Sequence, residues 1–264
     1  MKTSFFKKYF SEIFLILFFS FLYLPIFYII YNSLIYENKF NFFWYKSLLE
    51  RSDIFYTLLN SFTVSILTVL ISLTISLFGI IYLFFKGKDK VIFYFSYLGL
   101  VVPEIVLAVS LLLFFTLSKV KLGGVTLLLS HTIVGISYSF PILYGRWLEI
   151  DKFLISAAYD LGASSRQVWK TILFPLFKES LISAGVLVFI LSFDDYLLSY
   201  FCGGSDFITI SILLLSIIRT GFNGELAAFS SLIFLFSFLM GIFYFLFVNK
   251  NQKNGNLINL REEF

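Results

Sequence analysis

The sequence predicts an all-α integral membrane protein. It is a bundle of six transmembrane helices in a single domain over 1–264, with both termini in the cytoplasm. Three observations predict this. Of the 264 residues, 59% are hydrophobic and 14% charged, with a mean hydropathy of +0.92, more apolar surface than a water-soluble domain of this size can bury. Six apolar runs reach the roughly 20 residues that a helix needs to cross a bilayer core. The basic residues between those runs fall unevenly on two sides.

The first run, 13–33, follows Lys2, Lys7 and Lys8. It is too long for a signal-peptide core and has no small-x-small cleavage site, so it reads as a retained anchor. The second, 62–85, lies between Asp53 and Lys86, and the third, 93–117, is interrupted by Pro103-Glu104. The fourth, 125–145, ends at Arg146; the fifth and sixth are 180–201 and 226–248. In lipid each run must satisfy its own backbone hydrogen bonds, which leaves the helix as its form.

Orientation follows from Lys and Arg. One side carries Lys2, Lys7, Lys8, Lys86, Lys88, Lys90, Arg146, Lys152, Arg166, Lys170, Lys178, Lys250, Lys253 and Arg261, fourteen in all. The other carries six: Lys39, Lys46, Arg51, Lys119, Lys121 and Arg219. The side with fourteen is cytoplasmic. The net charge of +4 is modest and clustered between apolar runs, the pattern of a membrane protein and not of a nucleic-acid surface. The 37 Phe residues accompany abundant Ile, Lys, Asn and Tyr and reflect codon bias rather than an aromatic box.

Several function classes drop out. A single cysteine, Cys202, excludes an internal disulfide and a cysteine metal cluster. Gly87-Lys88 lacks the surrounding glycine-rich pattern of a P-loop, so the chain is not expected to bind ATP itself. No catalytic triad or metal constellation is legible, and neither enzymatic activity nor a cofactor is expected. The one histidine, His131, stands alone in the fourth run, where a packing role is the expectation.

The loop 146–178 has structure of its own. A short helix over 155–161 has Ala157 and Ala158 and ends at Gly162, which supplies a left-handed residue. Ser164 and Gln167 make a capping box for a second helix. That helix carries Val168, Trp169, Ile172 and Leu173 on one face until Pro175 stops it. Small residues on the first helix permit close approach of a partner; an amphipathic loop lying at the lipid headgroups is the alternative.

The run Ser156-Ala157-Ala158-Tyr159-Asp160-Leu161-Gly162-Ala163, followed by Ile172-Leu173-Phe174-Pro175, resembles the EAA loop of permease subunits in ATP-binding-cassette importers. The family's usual glutamate is Ser156 here, which can hydrogen-bond but cannot form an ion pair. The likeness continues through Leu24-Pro25-Ile26 with Asn32-Ser33, and through Leu59-Asn60-Ser61. Pro103-Glu104-Ile105-Val106 and Ser192-Phe193-Asp194-Asp195 are similar to the polyamine branch of the family. The resemblance implies a type I importer permease in a bacterial cytoplasmic (inner) membrane. Its partners would be a second, similar permease, two copies of an ATPase and an extracytoplasmic polyamine-binding protein. The ATPase would meet Ser156, Ala157, Ala158, Asp160, Gly162 and Ala163.

Acids inside a span are costly and functional by default. Glu104 lies beyond Lys90 and Asp194 beyond Lys178 by distances that place them roughly 21 and 24 Å from their cytoplasmic anchors at 1.5 Å per residue. Glu104, Asp194 and Asp195 are therefore expected at one level, where carboxylates suit a cation arriving from outside, with Ser192 beside them. Pro103 can open the helix there and free carbonyls. Tyr196, Phe193 and Tyr200 offer cation–π contact. Alternatively the aspartates snorkel to the outer headgroups and Glu104 is paired internally. Adjacent aspartates on a continuous helix point about 100° apart, so one of them faces the path. Trp44, with Phe42, Phe43 and Tyr45, sits in an outer loop as a headgroup anchor or, by the resemblance, a contact for cargo or binding protein. An importer permease for another solute (an opine, iron or an amino-acid-like cation) and a stand-alone secondary transporter remain alternatives. Acids at that level speak against sulfate and phosphate. Spermidine and putrescine are not distinguished.

Overall fold

The computed structural model describes residues 2–86, 97, 99–219, 221 and 223–262, with side chains described for all of these except 2–11 and 246–262. Lys88, Lys90 and the expected start of the third span at 93–96 and 98 lie outside the described residues. So do the side chains of Lys2, Lys7, Lys8, Lys250, Lys253 and Arg261.

The described elements are α1 (Lys2–Ser33), β1 (Ile35–Tyr36), β2 (Lys39–Phe40), α2 (Phe43–Glu50), α3 (Ser52–Lys86) and α4 (Glu104–Leu117). There follow α5 (Gly124–Glu149), α6 (Lys152–Asp160), α7 (Ser165–Val168), a π-helical turn (Trp169–Leu173), α8 (Phe174–Phe193), α9 (Leu197–Cys202), α10 (Ile210–Arg219) and α11 (Gly224–Glu262). Five described stretches are long and apolar enough to cross a membrane: Glu12–Ser33, Ser52–Lys86, Gly124–Glu149, Ser165–Phe193 and Gly224–Phe245. They cover the first, second, fourth, fifth and sixth expected spans. In the described part of the third, residues 97 and 99–101 are helical and the 14-residue helix α4 begins immediately after Pro103.

The chain's internal contacts divide it into two compact units, one of Met1–Ile54 with Leu214–Ser237 and one of Phe55–Leu213 with Phe238–Phe264. In the first unit, β1 and β2 form a tight antiparallel hairpin through Glu37 and Asn38, whose φ values are +50° and +60°. Trp44 Nε1 donates to Ile35 O at 3.0 Å, and its ring meets Tyr36 and Phe43. The Ser33, Tyr45 and Ser231 hydroxyls form a chain with links of 2.7 and 2.8 Å. Arg51 binds both Asp53 and Glu225.

In the second unit, α3 turns a column of small hydroxyl residues inward. Thr57, Ser61, Ser65, Thr68, Ser72 and Ser76 are all buried, spaced three or four apart and so on one helix face. Apolar burial gives no net drive between helices in lipid, so close approach and interhelical hydrogen bonds take its place. Ser76 Oγ lies 2.7 Å from Ser139 Oγ, and Ser72 Oγ donates to Thr132 O at 3.4 Å. Gly135 supports the same contact: a Cβ there would collide with the Ser72 side chain. At the other end of α5, Ile80, Leu83, Phe140, Leu143, Ile150, Val168, Leu173 and Phe177 form a buried apolar cluster.

Two expectations are corrected. Pro175 does not stop the second loop helix. It sits in the first turn of α8, and helix is continuous over Ser165–Phe193. The preceding turn widens to a π-turn, with Phe174 N–H reaching back five residues to Trp169 O, immediately before the proline that has no N–H of its own. The fifth run is not one helix over 180–201 either. It breaks after Phe193 and resumes at Leu197, so the aspartates lie in the break and not on a continuous helical face.

Candidate substrate cavity and coupling loop

Within the second unit, the segment before α4, the start of α4 and the facing surfaces of α5, α8 and α9 enclose a cavity of about 350 Å³. Its lining is aliphatic except for Glu104, His131, Tyr138, Ser192 and Asp195. Pro103 causes the first of these placements. Its fixed φ and missing N–H interrupt the helix, and α4 restarts at Glu104. The Glu104 carboxyl is exposed in the first turn, facing that of Asp195.

The break between α8 and α9 causes the second. Asp195 caps α9: its Oδ2 accepts the Ser199 N–H at 2.8 Å and its Oδ1 the Leu198 N–H at 3.4 Å. Those N–H groups open a helix and have no partner within it. The carboxyl also meets His131 Nε2 at 3.1 Å, and His131 Nδ1 lies 2.6 Å from Ser192 Oγ. His131 and Asp195 are almost sealed, with side chains 2% and 4% exposed. Ser192, His131 and Asp195 thus form one buried hydrogen-bonded chain joining α5 to both sides of the break.

Glu104, Ser192 and Asp195 therefore come together as the sequence expects. Asp194 does not: it is exposed in the break and does not line the cavity. Tyr196 and Tyr200 face each other with ring centroids 5.7 Å apart and do not line it either. Phe193 is buried against Phe62 and Phe189. Trp44 belongs to the first unit, where its indole is held as described. The residue that sequence reading missed is His131, assigned to packing because no partner stands near it in the chain. Asp195 is 64 positions away, and a lone polar ring in an apolar run was the available signal.

The loop after α5 is built from caps. Asp151 accepts the Phe153 N–H at 2.8 Å, so α6 starts at Lys152, earlier than the expected 155. Gly162 ends it with φ +82°, a conformation that costs a residue with a Cβ. Ser164 and Gln167 form the expected capping box: the Ser164 N–H donates to Gln167 Oε1 at 2.7 Å, and the Gln167 N–H to Ser164 Oγ at 3.4 Å. The small residues divide between two faces. Ala158 and Ala163 pack with Ile155 against the apolar cluster, whereas Ala157 and Asp160 are exposed. Ser156 Oγ is turned back onto Lys152 O at 3.1 Å. Phe153 and Leu161 project outward, 81% and 90% exposed.

No protein-family model matches the chain. Among curated proteins it is similar to the spermidine/putrescine transport system permease protein PotC of Haemophilus influenzae, 27% identical over 90% of this chain and 96% of that one. The Escherichia coli protein of the same name is 28% identical over 85% of this chain and 88% of its own. A PotC homolog of Mycoplasma genitalium is 30% identical over 81% of this chain and 77% of its own. Among solved structures, the inward-facing MetNI methionine ABC transporter aligns with 79% of this chain and 99% of its own at a TM-score of 0.55 and 16% identity. An amino acid ABC transporter crystallised with histidines aligns with 78% of this chain and 97% of its own at a TM-score of 0.59 and 15% identity. These two carry the fold. The sequence identities carry the rest: the chain belongs to the PotC family of spermidine/putrescine transport permease proteins.

Proposed function

We propose that the chain is the membrane-spanning permease subunit of an ATP-driven importer of polyamines, spermidine or putrescine, in a bacterial inner membrane. The observation that carries this is its identity to polyamine permeases over most of its length. The acid-bearing cavity supports it. A polyamine presents two or more ammonium groups, and each needs an acceptor when it leaves water. Glu104 offers one inside a mostly aliphatic enclosure that suits the methylene chain between them.

The chain forms half of the translocation path beside a second, PotB-like permease. A PotD-like binding protein delivers cargo from outside, and two ATPase copies drive the cycle. One of them docks on the loop through Ser156, Ala157, Asp160, Gly162 and the neighbouring side chains, while Ala158 and Ala163 hold the loop to the apolar cluster. The contact needs no ion pair from position 156, because Ser156 carries no charge. The test is uptake of radiolabelled spermidine and putrescine in cells producing the chain with its neighbouring subunits. Accumulation that requires both the chain and ATP supports the reading. Absence of polyamine uptake by a complex that hydrolyses ATP and sits in the membrane overturns it.

A further inference from the structure

Asp195 has little left to offer a passing cation. Its carboxyl accepts the Ser199 and Leu198 N–H groups, meets His131 Nε2, and is 4% exposed. Oδ2 already acts as acceptor toward the Ser199 N–H, so Nε2 is the donor in the bond between them. A neutral imidazole then presents Nδ1 as acceptor, and the Ser192 hydroxyl donates to it across 2.6 Å. Every polar atom of the imidazole is used, and each bond fixes the ring's orientation. Glu104 faces the Asp195 carboxyl but, unlike it, is exposed on the cavity. The two acids do different work, and the imidazole is what separates them.

We propose that His131 is the positioning residue of this cavity: acting through Asp195, it holds the break between α8 and α9 in one geometry and leaves Glu104 as the carboxyl that receives the cargo's ammonium group. The proposal rests on the polyamine reading for its cargo but not for the helix break. When His131 is lost, Asp195 loses the donor that fixes its rotamer, the cap on α9 loosens, and the ammonium site beside it loses its shape.

The chain contains its own reporter for the break. Cys202, the single cysteine, lies in the last turn of α9 and is fully buried. It is tied in through Thr126 Oγ1, which donates to Cys202 O at 2.7 Å. The experiment compares wild type, His131→Ala, His131→Gln, Ser192→Ala, His131→Gln with Ser192→Ala, and Glu104→Gln in the assembled complex in membranes. Alkylation of Cys202 by N-ethylmaleimide reads the break, and the concentration dependence of spermidine uptake reads the site. His131→Ala should raise the alkylation rate several-fold and raise the apparent KM about tenfold. His131→Gln restores a donor to Asp195 and should return both within about threefold of wild type. Glu104→Gln should raise KM with Cys202 still protected. Ser192→Ala should raise KM a few-fold when residue 131 is His and leave it unchanged when it is Gln, because the glutamine does not depend on that hydroxyl.

Equal cost of Ser192→Ala in both backgrounds overturns the proposal, even if His131→Ala never reaches the membrane. So does His131→Gln behaving as His131→Ala, or an unchanged KM in His131→Ala. If wild type carries no polyamine, the cargo reading fails alone. The Cys202 rates then still decide the helix break: it stands if His131→Gln protects and His131→Ala exposes, and falls if the two react alike.

Discussion

The pair α5 and α8 is held at one end by polar groups and at the other by apolar ones. Near the cavity, His131 meets Ser192 and Asp195 through directed hydrogen bonds. At the loop end, Phe140 and Leu143 pack with Leu173 and Phe177, about 18 Å further along at 1.5 Å per residue from His131 to Leu143. Buried hydrogen bonds are directional and costly to leave unmade. They specify geometry, and they fit a place where a charged cargo must be met. Dispersion packing is nondirectional and additive. It fits a place where a short loop must move as one piece with the helices behind it.

That contrast breaks first at Gly162. The positive φ is closed to proline, whose ring fixes φ near −65°. Gly162→Pro should leave the chain in the membrane and abolish transport-linked ATP hydrolysis, measured on the complex in proteoliposomes. Normal coupling would remove the loop from the ATPase interface. Ser156→Ala, by comparison, loses one hydroxyl whose bond is to Lys152 O and should reduce coupling far less than Gly162→Pro.

The apolar end is next. Phe177 is fully buried, and Phe177→Ala should cost about 3–5 kcal/mol. The cost should be seen as a lower unfolding temperature in detergent, with the KM of any folded protein unchanged. A KM shift as large as that of the cavity variants would erase the distinction between the two ends.

At the polar end, Glu104→Gln keeps shape and removes charge. Loss of a charge-assisted contact of roughly 1.5–3 kcal/mol should weaken polyamine transport about tenfold or more, with the unfolding temperature unmoved. Asp194→Asn, outside the cavity, should transport within about twofold of wild type. Equal losses at Glu104 and Asp194 in radiolabel uptake would return both acids to the path.

The smallest effect belongs to the hydroxyl column. Ser76→Ala deletes one interhelical bond to Ser139 and should cost about 0.6 kcal/mol, at the edge of detection by thermal unfolding. A cost of several kcal/mol would mean that hydrogen bonds, and not close approach, hold α3 in place.

The sequence by itself determined the membrane class, the presence and order of the five described spans, the Gly162 turn and the Ser164–Gln167 box. Each depends on neighbours in the chain: a run of apolar residues, a φ sign, a side chain reaching three positions along. Pro103 was legible for the same reason. Tertiary structure decided which of two adjacent aspartates faces the cavity, because that depended on a helix break in which Asp195 caps the Leu198 and Ser199 N–H groups and meets an imidazole 64 residues away. It also decided that Ala158 faces the protein while Ala157 faces out. Two neighbours on a helix differ by about 100°, and only the position of the apolar cluster says which of them is inside.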